Sequence, residues 1–217
     1  MKTKSFFQKR FMILLPLICL TIALGGCNVT DALYTIFISP LIPTPTVKAE
    51  YSLEDKTILI WIDDTAIDPK HHSLRRELTA AIRTNLEEHE AIGGAVAYAK
   101  IAQFRMAHPE FIDMSIQELG KRLQAQQVMY LFINQFQFRH EAGEGYYQPS
   151  LSGSVKIVDV GTGQRVWPKD KSYQSFAVNQ DMIEGKGTEF EDGLIQKLGA
   201  AVAQVIAPYF YKHKITE

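Results

Sequence analysis

Two short runs of β-branched and aromatic residues limit how this chain can fold. They occupy residues 57–62 and 128–133, and each carries apolar side chains at consecutive positions. A strand that is apolar on both faces must be covered on both faces, as strands inside an α/β sheet are. The second run continues into residues 135–138, where glutamine and phenylalanine alternate, so we expect one face of that strand to become exposed.

Helical patterns follow these strands. One apolar stripe has a spacing of four residues and consists of Leu74, Leu78, Ile82 and Leu86. A second stripe near the C-terminus consists of Phe190, Leu194, Leu198, Val202, Val205, Ile206 and Tyr209. Two capping boxes, Ser115 with Glu118 and Thr188 with Glu191, predict where a short helix and the terminal helix begin. Pro208 predicts where the terminal helix bends or ends.

Turn and strand signals lie between the helical patterns. Residues 151–157 alternate between apolar and polar, residues 159–163 predict a tight turn, and Trp167 follows on the next strand. Weaker patterns predict strands at residues 95–99 and 173–176 and a helix at residues 101–107. Together the elements predict an α/β domain: a two-layer sandwich with a mixed β-sheet and helices mainly on one face.

The N-terminus has the organisation of a secretion signal. Basic residues precede an apolar stretch at residues 11–23, which is shorter than the roughly 20 residues of a membrane span. The sequence Leu-Gly-Gly-Cys follows at residues 24–27 and resembles the bacterial lipobox, in which the signal is cut before the cysteine. The resemblance implies a signal peptide at residues 1–26 and acylation of Cys27 on its sulfur and its amine. An ordinary signal peptide and an uncleaved anchor helix are the alternatives.

Cleavage at this site has consequences for the mature chain. Cys19 would leave with the signal, so Cys27 would be the only thiol and no disulfide could form within one chain. The acyl chains would anchor the protein to a membrane. In enterobacterial lipoproteins, an aspartate directly after the lipidated cysteine favours retention at the inner membrane. This chain has Asn28 at that position, so we expect it on the periplasmic side of the outer membrane. Residues 27–50 are rich in proline and predict a tether, with the α/β domain at residues 51–217.

Composition narrows the possible partners. The chain is 46% hydrophobic and 22% charged, which is enough apolar material to form a core without disulfides. Its net charge is −1. Because nucleic-acid binding usually requires a clustered basic surface, we expect no nucleic-acid partner.

The order of elements and one stretch of sequence resemble a known group of proteins. Residues 155–167 read Val-Lys-Ile-Val-Asp-Val-Gly-Thr-Gly-Gln-Arg-Val-Trp, and an amphipathic helix closes the domain. This pattern, after a lipidated tether, is similar to lipoproteins that share the TolB amino-terminal fold. They include outer-membrane activators of penicillin-binding proteins and the curli-secretion channel subunit. The resemblance implies an envelope role through protein binding or assembly.

Candidate reactive groups are few. Asp63 and Asp64 end the first strand, where ligands of open α/β sheets often bind. With His71 and His72 a few residues on, they could form a metal or acid–base cluster. An ordinary polar loop before a helix explains the same residues. Residues 185–188 could bind an anion at a helix start, although they lack the pattern of a phosphate-binding loop. The remaining histidines match no metal-binding spacing: His89, His108 and His140.

Aromatic side chains near a predicted hairpin are the candidate partner-binding residues. Phe136 and Phe138 lie on one strand, and Tyr146 and Tyr147 lie just beyond a glycine-containing loop. Exposed aromatic side chains often mark partner surfaces. The alternative is that they pack under the antiparallel strands or the terminal helix.

These patterns predict a membrane-anchored bacterial lipoprotein that acts as a non-enzymatic envelope adaptor or regulator. It would bind another envelope protein and require no cofactor or resident metal. One alternative is a subunit of a secretion or envelope assembly complex, in which homo-oligomers are possible. The other is a hydrolase or metal-dependent enzyme that uses Asp63, Asp64, His71 and His72.

Overall fold

The computed structural model describes residues 45–65, 73–139 and 145–214. The predictions for the signal peptide, for Cys27, for most of the tether and for His71 and His72 fall outside these residues. Contacts divide the chain into two units, Met1–Thr46 with Lys214–Glu217, and Val47–His213. The second unit carries the α/β fold.

Nine strands and four α-helices form the described part of the chain. In chain order they are β1 Thr46–Val47, β2 Leu53–Asp63, α1 Ser73–Glu88, β3 Ile92–Ala95, α2 Tyr98–Ala107, α3 Ile116–Arg122, β4 Gln127–Arg139, β5 Tyr146–Asp159, β6 Arg165–Trp167, β7 Gln174–Asn179, β8 Ile183–Glu184, α4 Thr188–Ile206 and β9 His213–Lys214. Short 3₁₀ helices, Pro109–Asp113 and Ala207–Phe210, follow α2 and α4. Among the described helices, none has the length and apolar content needed to cross a membrane.

Seven of the strands form one mixed sheet. Its order is β3-β2-β4-β5, and β6, β7 and β8 each pair with a different part of β5. Strand β2 runs parallel to β3 and β4, whereas β4 and β5 are antiparallel. The two remaining strands, β1 and β9, form a separate two-stranded sheet.

The side chains of β2 alternate between two apolar cores. Ile58, Ile60 and Ile62 lie in the larger core, and Leu59 and Trp61 lie in the smaller one. All five are buried. Because successive side chains of a strand point to opposite faces, each face of β2 has its own cover. The prediction that this strand is buried on both faces is confirmed.

The larger core lies under α1 and α4. It contains the whole predicted stripe of α1 and the following residues of α4: Leu194, Leu198, Val202 and Ile206. Val205, predicted to belong to the same stripe, is 40% exposed. A spacing of four residues drifts around a helix of 3.6 residues per turn, so the buried face has rotated away from Val205 near the C-terminal end.

The smaller core lies on the opposite face, under α2 and α3. It joins Ile101, Leu119 and Leu123 to side chains of β2 and to Val128 of β4. The two longest helices thus share one face, and two shorter helices cover part of the other. The predicted α/β class, a two-layer sandwich built on a mixed sheet, is confirmed.

Strand β4 extends beyond the part of the sheet that α2 and α3 cover. Phe132 is 39% exposed, whereas its neighbours Leu131 and Ile133 are buried. The register with β5 shifts between Ile133 and Gln135, and Phe136 still packs against the larger core. The predicted change from two covered faces to one is confirmed.

Helix starts and turns were predicted with mixed success. The Ser115 hydroxyl accepts a hydrogen bond from the Glu118 amide at 3.1 Å, as a capping box requires. The second box is wrong, because Gly187 with φ of 95° precedes α4 and no side chain caps that end. The turn after β5 forms as predicted: Asp159 Oδ1 accepts hydrogen bonds from the amide and hydroxyl of Thr162 at 2.8 and 2.9 Å.

The boundaries of the weaker elements differ from prediction. The strand expected at residues 95–99 is β3, Ile92–Ala95, and the following helix α2 begins at Tyr98. The strand expected at residues 173–176 is β7, Gln174–Asn179. Pattern and propensity set the type of such short elements, but hydrogen bonding to β2 and β5 sets their limits.

The two ends of the sheet have different surroundings. At the proximal end the chain approaches β2, and the Trp167 indole N–H donates to the Glu50 carboxylate at 3.1 Å. The Glu50 amide there donates to the Tyr209 carbonyl at 2.8 Å. At the distal end β2 stops at Asp63, and β5 begins at Tyr146. Helices α1 and α4 both run from the distal to the proximal end, since each begins beside distal residues and finishes beside proximal ones.

Candidate functional site

Asp63 is the last residue of β2 and lies beside Phe132 of the parallel strand β4, which continues to Arg139. Its Oδ2 accepts a short hydrogen bond from the Tyr130 hydroxyl of β4. Its Oδ1 accepts hydrogen bonds from the amide and hydroxyl of Thr65 at 3.2 and 2.9 Å. Burial, and then the hydrogen bond to Asp63, raise the pKa of Tyr130 well above its ordinary value. Both oxygens of Asp63 are therefore already occupied.

Asp64 points to different partners. The Arg75 Nη2 donates to both carboxylate oxygens at 2.7 Å, and its Nε donates to Oδ1 at 3.1 Å. The Arg105 Nη1 lies 3.7 Å from the same oxygen. Arg75 is on α1 and Arg105 is on α2, so Asp64 links one helix from each face of the sheet.

Arg105 is the most buried cation of this cluster. Its side chain is 10% exposed, and its guanidinium carbon lies 4.1 Å from the Trp61 ring centre and 4.8 Å from that of Phe111. Its Nη2 donates to the Ile62 carbonyl at 2.5 Å. Burial, and then the charge of Arg75, lower its pKa to about 10, with Asp64 acting in the opposite direction. Arg105 therefore remains a cation at neutral pH and stacks on both rings.

Within the described residues, the geometry of Asp63 and Asp64 favours an ordinary polar loop over a metal or acid–base cluster. There the carboxylates diverge, and Tyr130, Thr65 and Arg75 occupy them. No group of three metal-ligating side chains forms in residues 45–65, 73–139 and 145–214. The arrangement fits the polar-loop interpretation and holds helices to the sheet end.

Sequence reasoning missed Arg105, Tyr130 and Arg75 as partners of the aspartates. Arg105 sits in a predicted helix with apolar neighbours on both sides. A lone arginine in such a pattern often lies at a helix surface, so the sequence offered no signal that it would be buried. Only the crossing of α2 over the end of β2 brings it to Asp64.

The predicted aromatic surface is largely buried. Phe138 is 5% exposed and Tyr147 is 3% exposed, whereas Phe136 and Tyr146 are partly exposed. The Tyr147 ring lies 5.3 Å from that of Phe138 and 5.5 Å from that of Phe190 on α4. The expectation of exposure is therefore wrong for Phe138 and Tyr147, and the alternative, packing against the terminal helix, is what these two side chains do.

Glu191 explains why Tyr147 is held inside. Its Oε1 accepts hydrogen bonds from the Tyr147 hydroxyl at 2.7 Å and from Arg139 at 3.1 Å. The glutamate that was predicted to cap α4 thus joins that helix to the base of the β4–β5 hairpin. The hairpin tip, residues 140–144, lies outside the described residues.

His89 and His108 have structural partners. His89 stacks on Tyr211 with ring centres 3.9 Å apart, and His108 contacts Glu110 at 3.0 Å. Residues 185–188 precede α4, whose first turn carries Glu189 and Glu191. Acidic side chains at this helix start disfavour the binding of an anion there. These contacts favour the structural interpretations.

Comparison with known proteins gives likeness at the level of solved structures only. No protein-family model and no curated protein matches the sequence. The chain is similar to PelC of Paraburkholderia phytofirmans, solved as a dodecamer, with 12% identity, a TM-score of 0.42, and coverage of 77% of this chain and 97% of that one. It is similar to lipoprotein GNA1162 of Neisseria meningitidis, with 15% identity, a TM-score of 0.42, and coverage of 70% and 97%.

A third similar structure is protein XCC0632 of Xanthomonas campestris, from the family DUF330. Its identity is 7%, its TM-score is 0.42, and coverage is 74% of this chain and 86% of that one. Likeness at these identities and TM-scores assigns neither a family nor a function to this chain.

Proposed function

We propose that this protein is a bacterial lipoprotein, anchored through acyl chains on Cys27 to the periplasmic side of the outer membrane, whose α/β domain binds another envelope protein. The observation that carries the proposal is the Leu-Gly-Gly-Cys sequence at residues 24–27 behind a basic and apolar leader. In this role the domain acts as an adaptor or regulator and catalyses no reaction.

The polar cluster at the end of β2 supports a binding role over a catalytic one. The polar cluster at the distal end has its carboxylates engaged by Arg75, Tyr130 and Thr65. That arrangement fits a stabilising cluster better than a reactive one.

Two cysteine substitutions test the anchor. Cells are fed an alkyne analogue of palmitate, and labelling is compared among the full chain, Cys27→Ala and Cys19→Ala. We expect label on the full chain and on Cys19→Ala, none on Cys27→Ala, and a mature N-terminus at acylated Cys27 by mass spectrometry. A mature chain that begins elsewhere, or label retained on Cys27→Ala, contradicts the proposal.

A second experiment tests partner binding. The full lipidated chain carries a photoreactive amino acid at exposed positions on both faces of the domain, and crosslinks are made in living cells. A different envelope protein crosslinked in stoichiometric amount supports an adaptor. Crosslinks only between copies of this chain overturn it in favour of a self-assembling envelope complex.

A further inference from the structure

A groove runs along the outer surface between α1 and α4. It has a volume of about 350 Å³. Four alanines line it, and the other lining residues are polar: Ala80, Ala81, Ala200 and Ala203 with Glu77, Thr84, Asn85, Glu88, Gln196 and Gln204. The helices approach closely here, since a Cβ atom placed on Gly199 would lie 3.2 Å from the Glu77 carbonyl oxygen. Small residues on both helices therefore leave a shallow channel instead of an apolar ridge.

The proximal end of this groove is electronegative. Because α1 and α4 run in the same direction, the negative ends of both helix dipoles lie there. Neither helix has a basic residue in its last turn. The last turn of α1 instead carries Glu87 and Glu88. An acidic group without a paired cation is unfavourable for stability at a helix C-terminus.

The ion pairs of the described residues leave one acid in the groove without a cation. Glu77 is paired with Arg76 at 2.8 Å, and Glu87 is paired with Arg83 at 2.7 Å. Glu88 lines the groove and takes part in no salt bridge among the described residues. The groove therefore combines a floor of small side chains with an uncompensated carboxylate at the end where two helix dipoles add to its charge.

We infer that this groove docks a helical segment of a partner protein that carries lysine or arginine, with the cation against Glu88. The inference rests on the proposed function, since it names the surface through which the adaptor binds. From Glu77 to Glu88 the groove is about 16 Å long, which corresponds to three helical turns. A third helix packs on a pair of helices by ridges into grooves, and the alanine floor lets its backbone come close.

In-cell photocrosslinking tests the location. The full lipidated chain carries benzoylphenylalanine at Gln204, an exposed residue of the groove wall, or at Ala177, which is exposed on the opposite face of the sheet. We expect the Gln204 chain to crosslink a partner segment that contains lysine or arginine in a helical pattern. Ala200→Trp, which fills the groove, should abolish that product.

Charge reversal tests the recognition. Glu88→Lys should lower the Gln204 product by about tenfold, because it places like charges together across the interface. Glu54→Lys makes the same charge change at an exposed site on β2 and should leave the yield unchanged. Glu88→Lys should also keep or raise the Tm, which separates lost docking from lost folding.

Other outcomes overturn the inference in distinguishable ways. An envelope protein crosslinked from Ala177 but not from Gln204 overturns the groove and leaves the proposed function standing. A Gln204 product with a second copy of this chain, with lipid, or with a segment lacking cations overturns the proposed partner chemistry. An unchanged yield in Glu88→Lys does the same. No envelope protein from either position counts against both proposals.

Discussion

The distal cluster around Asp64 and the proximal end of the α1–α4 groove differ in whether their acidic side chains are paired with cations. At the distal end Asp64 is largely buried and forms salt bridges with Arg75 and Arg105. In the groove Glu88 is exposed, has no salt bridge among the described residues, and sits where two helix dipoles oppose it. Buried charges that are paired hold this fold together, whereas an exposed acid in an unfavourable field is free to serve binding.

The largest effect should come from removing the buried cation. Arg105→Ala takes away the stacking on Trp61 and Phe111 and one of the two cations near Asp64. We expect a loss of about 3 kcal/mol in the free energy of unfolding, measured by urea denaturation. The control Arg76→Ala removes an arginine that is 58% exposed and should cost less than about 1 kcal/mol. Equal losses in the two variants contradict a structural role for the distal cluster.

A smaller effect tests the link between the hairpin and α4. Tyr147→Phe removes the hydroxyl that donates to Glu191 and leaves the ring packing intact. We expect a loss of about 1.5 kcal/mol, because the hydrogen bond is to a carboxylate and is partly buried. Tyr173→Phe, at a tyrosine that is 53% exposed, is the matched control and should change nothing measurable. A neutral Tyr147→Phe argues that Glu191 has another role.

In the groove, a charge substitution should raise the free energy of unfolding instead of lowering it. Glu88→Lys replaces an acid at the negative end of α1 with a base, so the protein should become more stable by roughly 0.5 kcal/mol. Thermal unfolding at low salt measures this best, because the effect is screened by ions. Glu54→Lys provides the control. Destabilisation by Glu88→Lys shows that Glu88 serves the fold, and then the contrast between the two regions fails.

The smallest predicted effect is a pH dependence at the exposed turn after β5. Hydrogen bonds from the Thr162 amide and hydroxyl lower the pKa of Asp159 below its usual value. A lowered pKa in the folded state contributes stability above the unfolded pKa, and this is lost as the pH falls through the folded pKa. We expect the stability of Asp159→Asn to fall less steeply below about pH 4 than that of the parent, measured by denaturation between pH 2 and 6. Identical slopes contradict this account of the turn.

Much of the fold could be predicted from local pattern. The run at residues 57–62, the stripe of Leu74, Leu78, Ile82 and Leu86, and the turn at Asp159 each follow from the period of apolar residues or from turn chemistry. The site was harder. Apart from Thr65, the side chains that contact Asp63 and Asp64 come from β4, α1 and α2, so no local spacing rule could identify them.

Amino-acid order was sufficient for the α/β class, the burial of β2 on both faces and the change in exposure along β4, because hydrophobic periodicity acts over a few neighbouring residues. It also carries the proposal of an anchor at Cys27. Tertiary structure alone decided that Phe138 and Tyr147 are buried, that Glu191 binds a tyrosine instead of capping its helix, and that α1 and α4 end side by side. The physical reason is that these outcomes depend on which elements meet in space, and contacts between distant residues are set by packing of the whole domain.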